Sequence, residues 1–226
     1  MQIDRPPAEC AQLIAQTAAW PDEKDKEAVR RWSDLYKRKF ECVRLTEAGW
    51  SPIEKAAEQG REVRRATFQD GRLAFRIPAV ALERTRDGAV WIRLSINRPA
   101  RVFSARLPPE SWTRLTAHDE DARRPVAART WEGPGLPPLG CHGWSVTVEG
   151  AEAKRSWRQD LSECTADPDS PAFAYAYELA SIAIDHISEC AAAKAKAESQ
   201  GHGPQEPVRG LIYCAGRFAP RTFENP

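Results

Sequence analysis

The chain has 226 residues, of which 42% are hydrophobic, 29% charged and 8% aromatic, and its formal net charge is +1. This length and apolar content suffice for one large domain or two small ones with a substantial core. They exclude a collagen-like chain and a chain that is disordered throughout. The longest mostly apolar stretch, residues 173–187, contains acidic and polar residues. It is shorter than the roughly 18–20 apolar residues that cross a bilayer, so we expect no membrane span.

The first 62 residues are predicted to form a helical N-terminal portion. Apolar residues recur every three or four positions from Cys10 to Ala18, and again from Ala28 to Val43 through a highly charged segment. The sequence Ser51-Pro52-Ile53-Glu54 is typical of a helix start, because the serine can cap the helix and proline is tolerated in its first turn. We therefore expect three helices before residue 63.

From about Ala66 the spacing of apolar residues changes from near four to two, which predicts β-strands. Alternating segments occur at residues 66–68, 73–77, 90–96, 103–107 and 144–148. Asp-Gly pairs at 70–71 and 87–88 are typical of tight hairpin turns. Consecutive strands joined by such turns predict an antiparallel β-meander with one solvent-exposed face. Residues 116–140, rich in proline, glycine and charge, are expected to form a long loop or an excursion between strands.

Ser170-Pro171 is predicted to start the most buried helix of the protein, which extends to about residue 198 and packs across the sheet. Residues 208–215 are predicted to return as a strand. The expected fold class is therefore α+β. Residues 1–62 form the helical N-terminal portion, and residues 63–226 form a central antiparallel meander plus a long C-terminal helix. We expect both parts to pack as one compact unit, cross-linked by disulfides.

Six widely spaced cysteines favour disulfides over a zinc site, since no two of them form a CxxC pair. Of the fifteen possible connectivities, neighbour pairing is the simplest. It predicts three bonds: Cys10–Cys42, Cys141–Cys164 and Cys190–Cys214. The alternative is six reduced, buried thiols in a cytosolic protein. We predict neither a metal nor a cofactor.

Disulfides require an oxidising compartment, so we expect the protein to be periplasmic or secreted. Met1 is not followed by the basic stretch and apolar run of a secretory leader. Export therefore requires that a leader has been removed and that Met1 is not the native start. If Met1 is native, the compartment prediction fails and a cytoplasmic location is the alternative.

Charge is distributed unevenly along the chain. Residues 61–131 contain 15 arginines, no lysine and 8 acidic residues, whereas residues 132–226 contain 8 basic and 13 acidic residues. Arginine pairs with carboxylates through two parallel hydrogen bonds, so an arginine-rich sheet face can attract an acidic partner. The candidate binding residues are on the meander: Arg76, Trp91, Arg93 and Arg106. The alternative is that these are only solvated strand positions.

The predicted partner is an acidic protein or an anionic polymer. A pI near 7.6, the absence of lysine from residues 61–131 and the lack of a nucleic-acid-binding motif disfavour nucleic acid.

His118 and His142 are the weak catalytic candidates. His142 follows Cys141, but adjacency in sequence does not bring a nucleophile and its base together, and a disulfide would consume the thiol. Residues 118–121, His-Asp-Glu-Asp, lack the spacing of a calcium loop and are expected to form a solvated turn. The sequence contains no GxSxG, HExxH or phosphate-binding glycine loop.

The favoured function is a non-catalytic extracytoplasmic binding protein of inhibitor or immunity type. One alternative is a hydrolase with catalytic residues on loops. The other is a cytosolic interaction protein with reduced cysteines.

Overall fold

The computed structural model describes residues 10–69, 78–96, 100–129, 145–200, 203 and 205–218. Contacts between residues divide the chain between Pro52 and Ile53 into two units. The helices are α1 (Ala11–Gln16), α2 (Lys26–Glu47), α3 (Ile53–Glu58), α4 (Glu110–Thr116), α5 (Asp119–Ala122), α6 (Pro171–His186), α7 (Ala191–Ser199) and α8 (Glu206–Arg217). The strands are β1 (Glu62–Gln69), β2 (Ala79–Arg84), β3 (Val90–Ile96), β4 (Arg101–Leu107), β5 (Ser145–Glu152) and β6 (Arg155–Ser162).

The first unit contains α1 and α2, which a disulfide joins. Asp25 caps α2, because its Oδ1 accepts hydrogen bonds from the backbone N–H groups of Glu27 and Ala28 at 3.1 and 2.9 Å. Cys10, directly before α1, is bonded to Cys42 in α2, with a Cα–Cα distance of 5.8 Å. This confirms the predicted pair. No residue of α1 is buried, so the cross-link holds α1 to α2 more than packing does.

The second unit is built on one antiparallel sheet with the strand order β4-β3-β2-β1-β5-β6. The first four strands form a meander, and β5 then returns to pair with the free side of β1. Ala66 in β1 accordingly lies opposite Val80 on one side and Val148 on the other. The predicted meander and its hairpin turn at Asp87-Gly88 are confirmed, and Gly88 has the positive φ of +83° that such a turn requires. The predicted strand at 73–77 and the turn at 70–71 lie outside the described residues.

The hydrophobic core lies between α6 and one face of the sheet, which we call the core face. α6 packs against the four middle strands β3, β2, β1 and β5. Ser170 and Pro171 begin this helix as predicted, and ten of its sixteen residues are buried. On the sheet, the fully buried core side chains alternate with residues of the opposite face: Phe68, Leu82, Ile92, Leu94 and Val148.

The C-terminal region differs from the sequence prediction in two places. The helix predicted to reach residue 198 is interrupted at Ile187, whose extended backbone leads into a 3₁₀ turn, Ser188–Cys190, before α7 begins. The strand predicted at 208–215 is wrong, because these residues lie in α8. Val208, Leu211 and Ala215 are all buried, and their spacing is helical. The apolar run 211–214 is too short for periodicity alone to separate a strand from a buried helix segment.

A second disulfide joins the 3₁₀ turn to α8. Cys190 and Cys214 are bonded, with a Cα–Cα distance of 5.1 Å, which confirms the predicted pair. The predicted Cys141–Cys164 pair includes Cys141, which lies outside the described residues, so this bond stays a prediction. Among the residues that the structure describes, no helix is both long and apolar enough to cross a bilayer.

Candidate functional site

Solvent exposure on the outer face of the sheet, opposite the core face, is prominent on β3 and β4. Trp91 is 36% exposed, and the exposed Arg106 lies directly opposite it in the register of the two strands. Arg93 and Ser104 form the next pair on this face, and Val102 follows at 38% exposed. Directly opposite residues of antiparallel strands share a face and lie close together. We call these five residues the β3–β4 patch.

The middle of the outer face is less accessible than predicted. Ala81, Arg65 and Glu149 point to this face from the central strands, yet each is at most 2% exposed. Arg65 and Glu149 form an ion pair there. The prediction of one wet face is therefore wrong for the central strands: α3 packs against β1, β5 and β6, and the charges of Arg65 and Glu149 pair with each other.

The arginines of the β3–β4 patch differ in their partners. The Arg93 guanidinium lies 3.4 Å from the Glu83 carboxylate, which also accepts a hydrogen bond from Arg61 at 3.2 Å. Among the described residues, no carboxylate lies within ion-pair distance of Arg106. The pKa of Asp87 is below its ordinary value, mainly because the Thr85 hydroxyl donates to it and to a smaller extent because Arg106 is positively charged. Of the two arginines, Arg106 is therefore the one with no described carboxylate at ion-pair distance.

Two of the predicted site residues, Arg76 and His142, lie outside the described residues. His118 is exposed and immediately precedes α5. The structure thus brings together Trp91, Arg93 and Arg106 and leaves His118 apart from them. Val102 also belongs to the patch and was not predicted. Its position, two residues from Ser104 and four from Arg106 on a strand, was the available signal.

A cluster of buried charge on the core face was also missed by the sequence analysis. Its centre is Arg64, whose side chain is fully buried and whose Nε donates to the two Asp119 carboxylate oxygens at 3.0 and 2.8 Å. The remaining N–H groups donate to the Asp119 carboxylate, to the carbonyl oxygens of Val63 and Ala151 and to the Glu152 carboxylate. All five donors of the guanidinium have acceptors. The cluster therefore ties the fold together and leaves no Arg64 donor for a ligand.

Asp119 overturns the prediction of a solvated turn at 118–121. The residue is only 8% exposed, and the Tyr175 hydroxyl donates to its Oδ1 at 2.7 Å. The physical reason is that a buried arginine requires a counter-charge, and α5 supplies it. Because this carboxylate is committed to Arg64 and Tyr175, it does not serve as a partner for the adjacent His118.

Gly150 has no side chain, and the side chains of Trp157 and Arg64 occupy the space that a Cβ atom would need. A Cβ atom at this position would lie 2.4 Å from Nε1 of Trp157 and 3.0 Å from Cδ of Arg64. We expect Gly150→Ala to lower the free energy of unfolding by about 1–3 kcal/mol, because the indole has to shift within a packed core. Chemical denaturation measures this change.

Gly210→Ala is the matched control. Its Cβ would lie 3.1 and 3.3 Å from atoms of the Ile184 side chain and 3.6 Å from the Cβ of Ala197, and alanine raises helix propensity within α8. A Gly150→Ala variant as stable as Gly210→Ala would contradict the close packing at Trp157.

A further buried carboxylate belongs to Glu163, directly after β6. It accepts hydrogen bonds from the Tyr177 hydroxyl at 2.7 Å and from the Gln205 amide at 2.6 Å. These bonds link the end of β6 to α6 and to the start of α8. Like Arg64, Glu163 has a structural role that its local sequence does not reveal.

The hydroxyls of Tyr175 and Tyr177 both have pKa values raised well above the ordinary tyrosine value. The main cause is burial, and the neighbouring carboxylates, Asp119 for Tyr175 and Glu163 for Tyr177, add to it. Both side chains stay neutral in the folded state at pH values where an unfolded tyrosine ionises, at about pH 10. Stability from these groups is complete below that pH and falls as the pH rises above it.

We therefore expect tyrosinate absorbance to show two late-ionising groups among the four tyrosines, released only when the protein unfolds at high pH. Tyr175→Phe should remove one of the two. A titration in which every tyrosine ionises near pH 10 in still-folded protein, with folding followed by circular dichroism, would contradict their burial.

Two other sites formed by described residues have room for a ligand. A cavity of about 200 Å³ between α6, α7 and α8 has a charged lining, in which Lys194 bonds to Asp185 at 2.7 Å and lies 3.7 Å from Glu198. An open hollow of about 400 Å³ lies beside β6, lined mainly by small side chains of residues 126–128 and 165–166. Within the described ranges, no three His, Cys, Asp or Glu side chains are grouped to hold a metal ion.

Comparisons with protein families, with curated proteins and with solved structures found no significant match.

Proposed function

We propose that this chain is a non-catalytic binding protein that acts outside the cytoplasm and uses the β3–β4 patch to bind an acidic partner. The partner is an acidic protein or an anionic polymer, and an inhibitor- or immunity-type role is the form of this function that we favour. The observation that carries the proposal is the position of Trp91 on β3 directly opposite Arg106 on β4, both of them exposed.

The chemistry of this pair suits recognition. Tryptophan and arginine are enriched among the residues that dominate the energy of protein interfaces. An exposed indole offers a large apolar contact area, while a guanidinium with no described carboxylate at ion-pair distance can bind one in two parallel hydrogen bonds. Both side chains stand on neighbouring strands of one sheet, so little ordering is required when a partner binds.

The disulfides support the proposed compartment. Cys10–Cys42 and Cys190–Cys214 are both within bonding distance, and such cross-links persist in oxidising environments such as the periplasm or the extracellular space. They count against the alternative of a cytosolic protein with reduced cysteines.

Binding of poly-L-glutamate and of dextran sulfate to the immobilised protein tests the proposal. The first probe represents an acidic protein and the second an anionic polymer, and poly-L-lysine is the control of opposite charge. We expect at least one anionic probe to bind, with an affinity that falls as salt increases.

The decisive comparison is between two variants. Trp91→Ser combined with Arg106→Glu should weaken binding roughly tenfold or more, because it removes the apolar contact and reverses a charge. Arg209→Glu reverses the charge of an exposed arginine on α8, away from the patch, and should bind within about twofold of the unsubstituted chain. If neither anionic probe binds, or if the two variants bind equally well, the proposal is wrong.

A further inference from the structure

We infer that the acidic partner binds as an extended segment that adds a strand along β4, so that the sheet continues into the partner. This inference rests on the proposed function and specifies how the β3–β4 patch is used. In strand addition, main-chain hydrogen bonds supply affinity, and the alternating side chains supply specificity.

The position of β4 in the sheet is the first observation. β4 is the terminal strand, and in the part of the chain that the structure describes it pairs only with β3. No backbone hydrogen bond from a described loop or helix reaches it. A terminal strand presents unpaired N–H and C=O groups that another chain can use.

The other terminal strand, β6, has a described loop beside it. The side-chain amide of Gln159 donates to the carbonyl oxygens of Ala122 and Arg124, both at 2.8 Å. An isolated bridge joins Ala128 to Ala166, four residues after β6 ends. These contacts place residues 122–128 near β6, whereas no described backbone group forms a hydrogen bond with β4 from outside the sheet.

Charge identifies the occupant. β4 has Arg101 at its first position and Arg106 near its last, both exposed, and it contains no acidic residue. Pairing of β4 with the β4 of a second copy would bring four arginines together along one junction without a carboxylate on either strand. Like charges on paired strands are destabilising, whereas an acidic segment would neutralise these arginines. The chemistry therefore favours an acidic partner over a second copy of the chain.

The two sides of β4 define the pattern of the partner segment. Val102, Ser104 and Arg106 belong to the outer face, next to Trp91. Phe103 lies on the core side, half-buried, with its ring centroid 5.0 Å from that of Phe218. Since side chains alternate along a strand, Arg101 lies on the same side as Phe103, and an added segment should carry acidic residues toward Arg106 and mainly apolar residues toward Phe103.

A capped heptapeptide of alternating glutamate and valine, Glu-Val-Glu-Val-Glu-Val-Glu, is the probe. We expect it to bind and to slow hydrogen exchange of the β4 amides. A peptide of the same composition with the three valines in one block keeps the charge but loses the alternation, and should bind about tenfold more weakly. Arg106→Glu should weaken binding of the alternating peptide by a similar factor, and Arg209→Glu, which changes the charge by the same amount, should not.

The outcomes separate this inference from the proposed function. One outcome is that poly-L-glutamate binds through the patch while both heptapeptides bind equally and the β4 amides are not protected from exchange. In that case strand addition is wrong, and the acidic partner binds on the outer face of the sheet instead. If poly-L-glutamate and dextran sulfate both fail to bind, the proposed function itself is wrong. Sedimentation that shows the free chain dimerising, with the β4 amides protected from hydrogen exchange in the dimer, would replace the acidic segment with a second copy.

Discussion

Replacement of Asp119 with alanine is expected to lower the free energy of unfolding by about 3 kcal/mol, because it removes the buried counter-charge of Arg64 and leaves only the half-exposed Glu152 carboxylate to pair with it. The Arg64 side chain is fully buried, and that of Asp119 is 11% exposed, so solvent screens the pair little. Tyr175 also loses the acceptor of its hydroxyl, which adds an unsatisfied polar group to the core. Denaturation in urea or guanidinium chloride measures the loss.

Asp121→Ala is the matched control, since it removes a carboxylate from the same short helix. Asp121 pairs with Arg124 at 3.0 Å, but these side chains are 46% and 68% exposed. Such a surface pair contributes at most about 1 kcal/mol. A double-mutant cycle with Arg64→Met completes the test. The variant with both Asp119→Ala and Arg64→Met should lose less free energy of unfolding than the two single variants lose together. Equal losses for Asp119→Ala and Asp121→Ala would show that Arg64 does not depend on this counter-charge.

Removal of the Cys190–Cys214 bond by alanine at both positions is expected to lower the free energy of unfolding by about 3 kcal/mol. The bond closes a loop with a sequence separation of 24, and the cost follows from the larger conformational freedom of the unfolded chain. Alanine is preferred to serine because both cysteines are fully buried, and a hydroxyl would need a partner there.

Denaturation together with hydrogen exchange of the α8 amides measures this effect. Ser188→Ala, an exposed change in the same 3₁₀ turn, should stay within about 0.5 kcal/mol of the unsubstituted protein. If the double alanine variant is as stable as this control and α8 exchanges no faster, packing alone holds the C-terminal helix.

Local periodicity was sufficient to predict the fold class. The change from a spacing near four to a spacing of two marked the transition from helices to sheet, and Ser170-Pro171 marked the start of α6. Periodicity missed β6, since only Trp157 and Leu161 are large apolar residues in an otherwise mainly polar strand. It also misassigned α8, where four consecutive apolar residues concealed the helical spacing.

The buried charges could not be predicted, because their partners are distant in sequence. Arg64 and Arg65 are neighbours on β1 and point to opposite faces of the sheet. Arg64 meets Asp119 across 55 residues, and Arg65 meets Glu149 across 84. Only the strand register and the packing of α5 bring these groups together. Local sequence shows two arginines in an apolar strand but not which carboxylates neutralise them.

The candidate site was predicted in part for the same reason. Trp91 and Arg106 were placed on the outer face from their alternation with apolar residues, and that placement depends only on local strand geometry. The contact between Arg93 and Glu83 depends on the pairing of β2 with β3, and β2 was not predicted. The exposure of Trp91 and Arg106 could therefore be predicted from local sequence, whereas the pairing of Arg93 with Glu83 could not.

The central place of β1 in the sheet has a consequence for synthesis on the ribosome. β1 can join β2 early, but its other side needs β5, and Arg64 contacts Ala151 across 87 residues. Until that segment emerges, a nascent chain carries an open strand edge in which Arg65 still lacks the Glu149 carboxylate of β5. An unneutralised cation on an open strand edge disfavours pairing with another nascent chain, so a residue that is later buried first opposes aggregation.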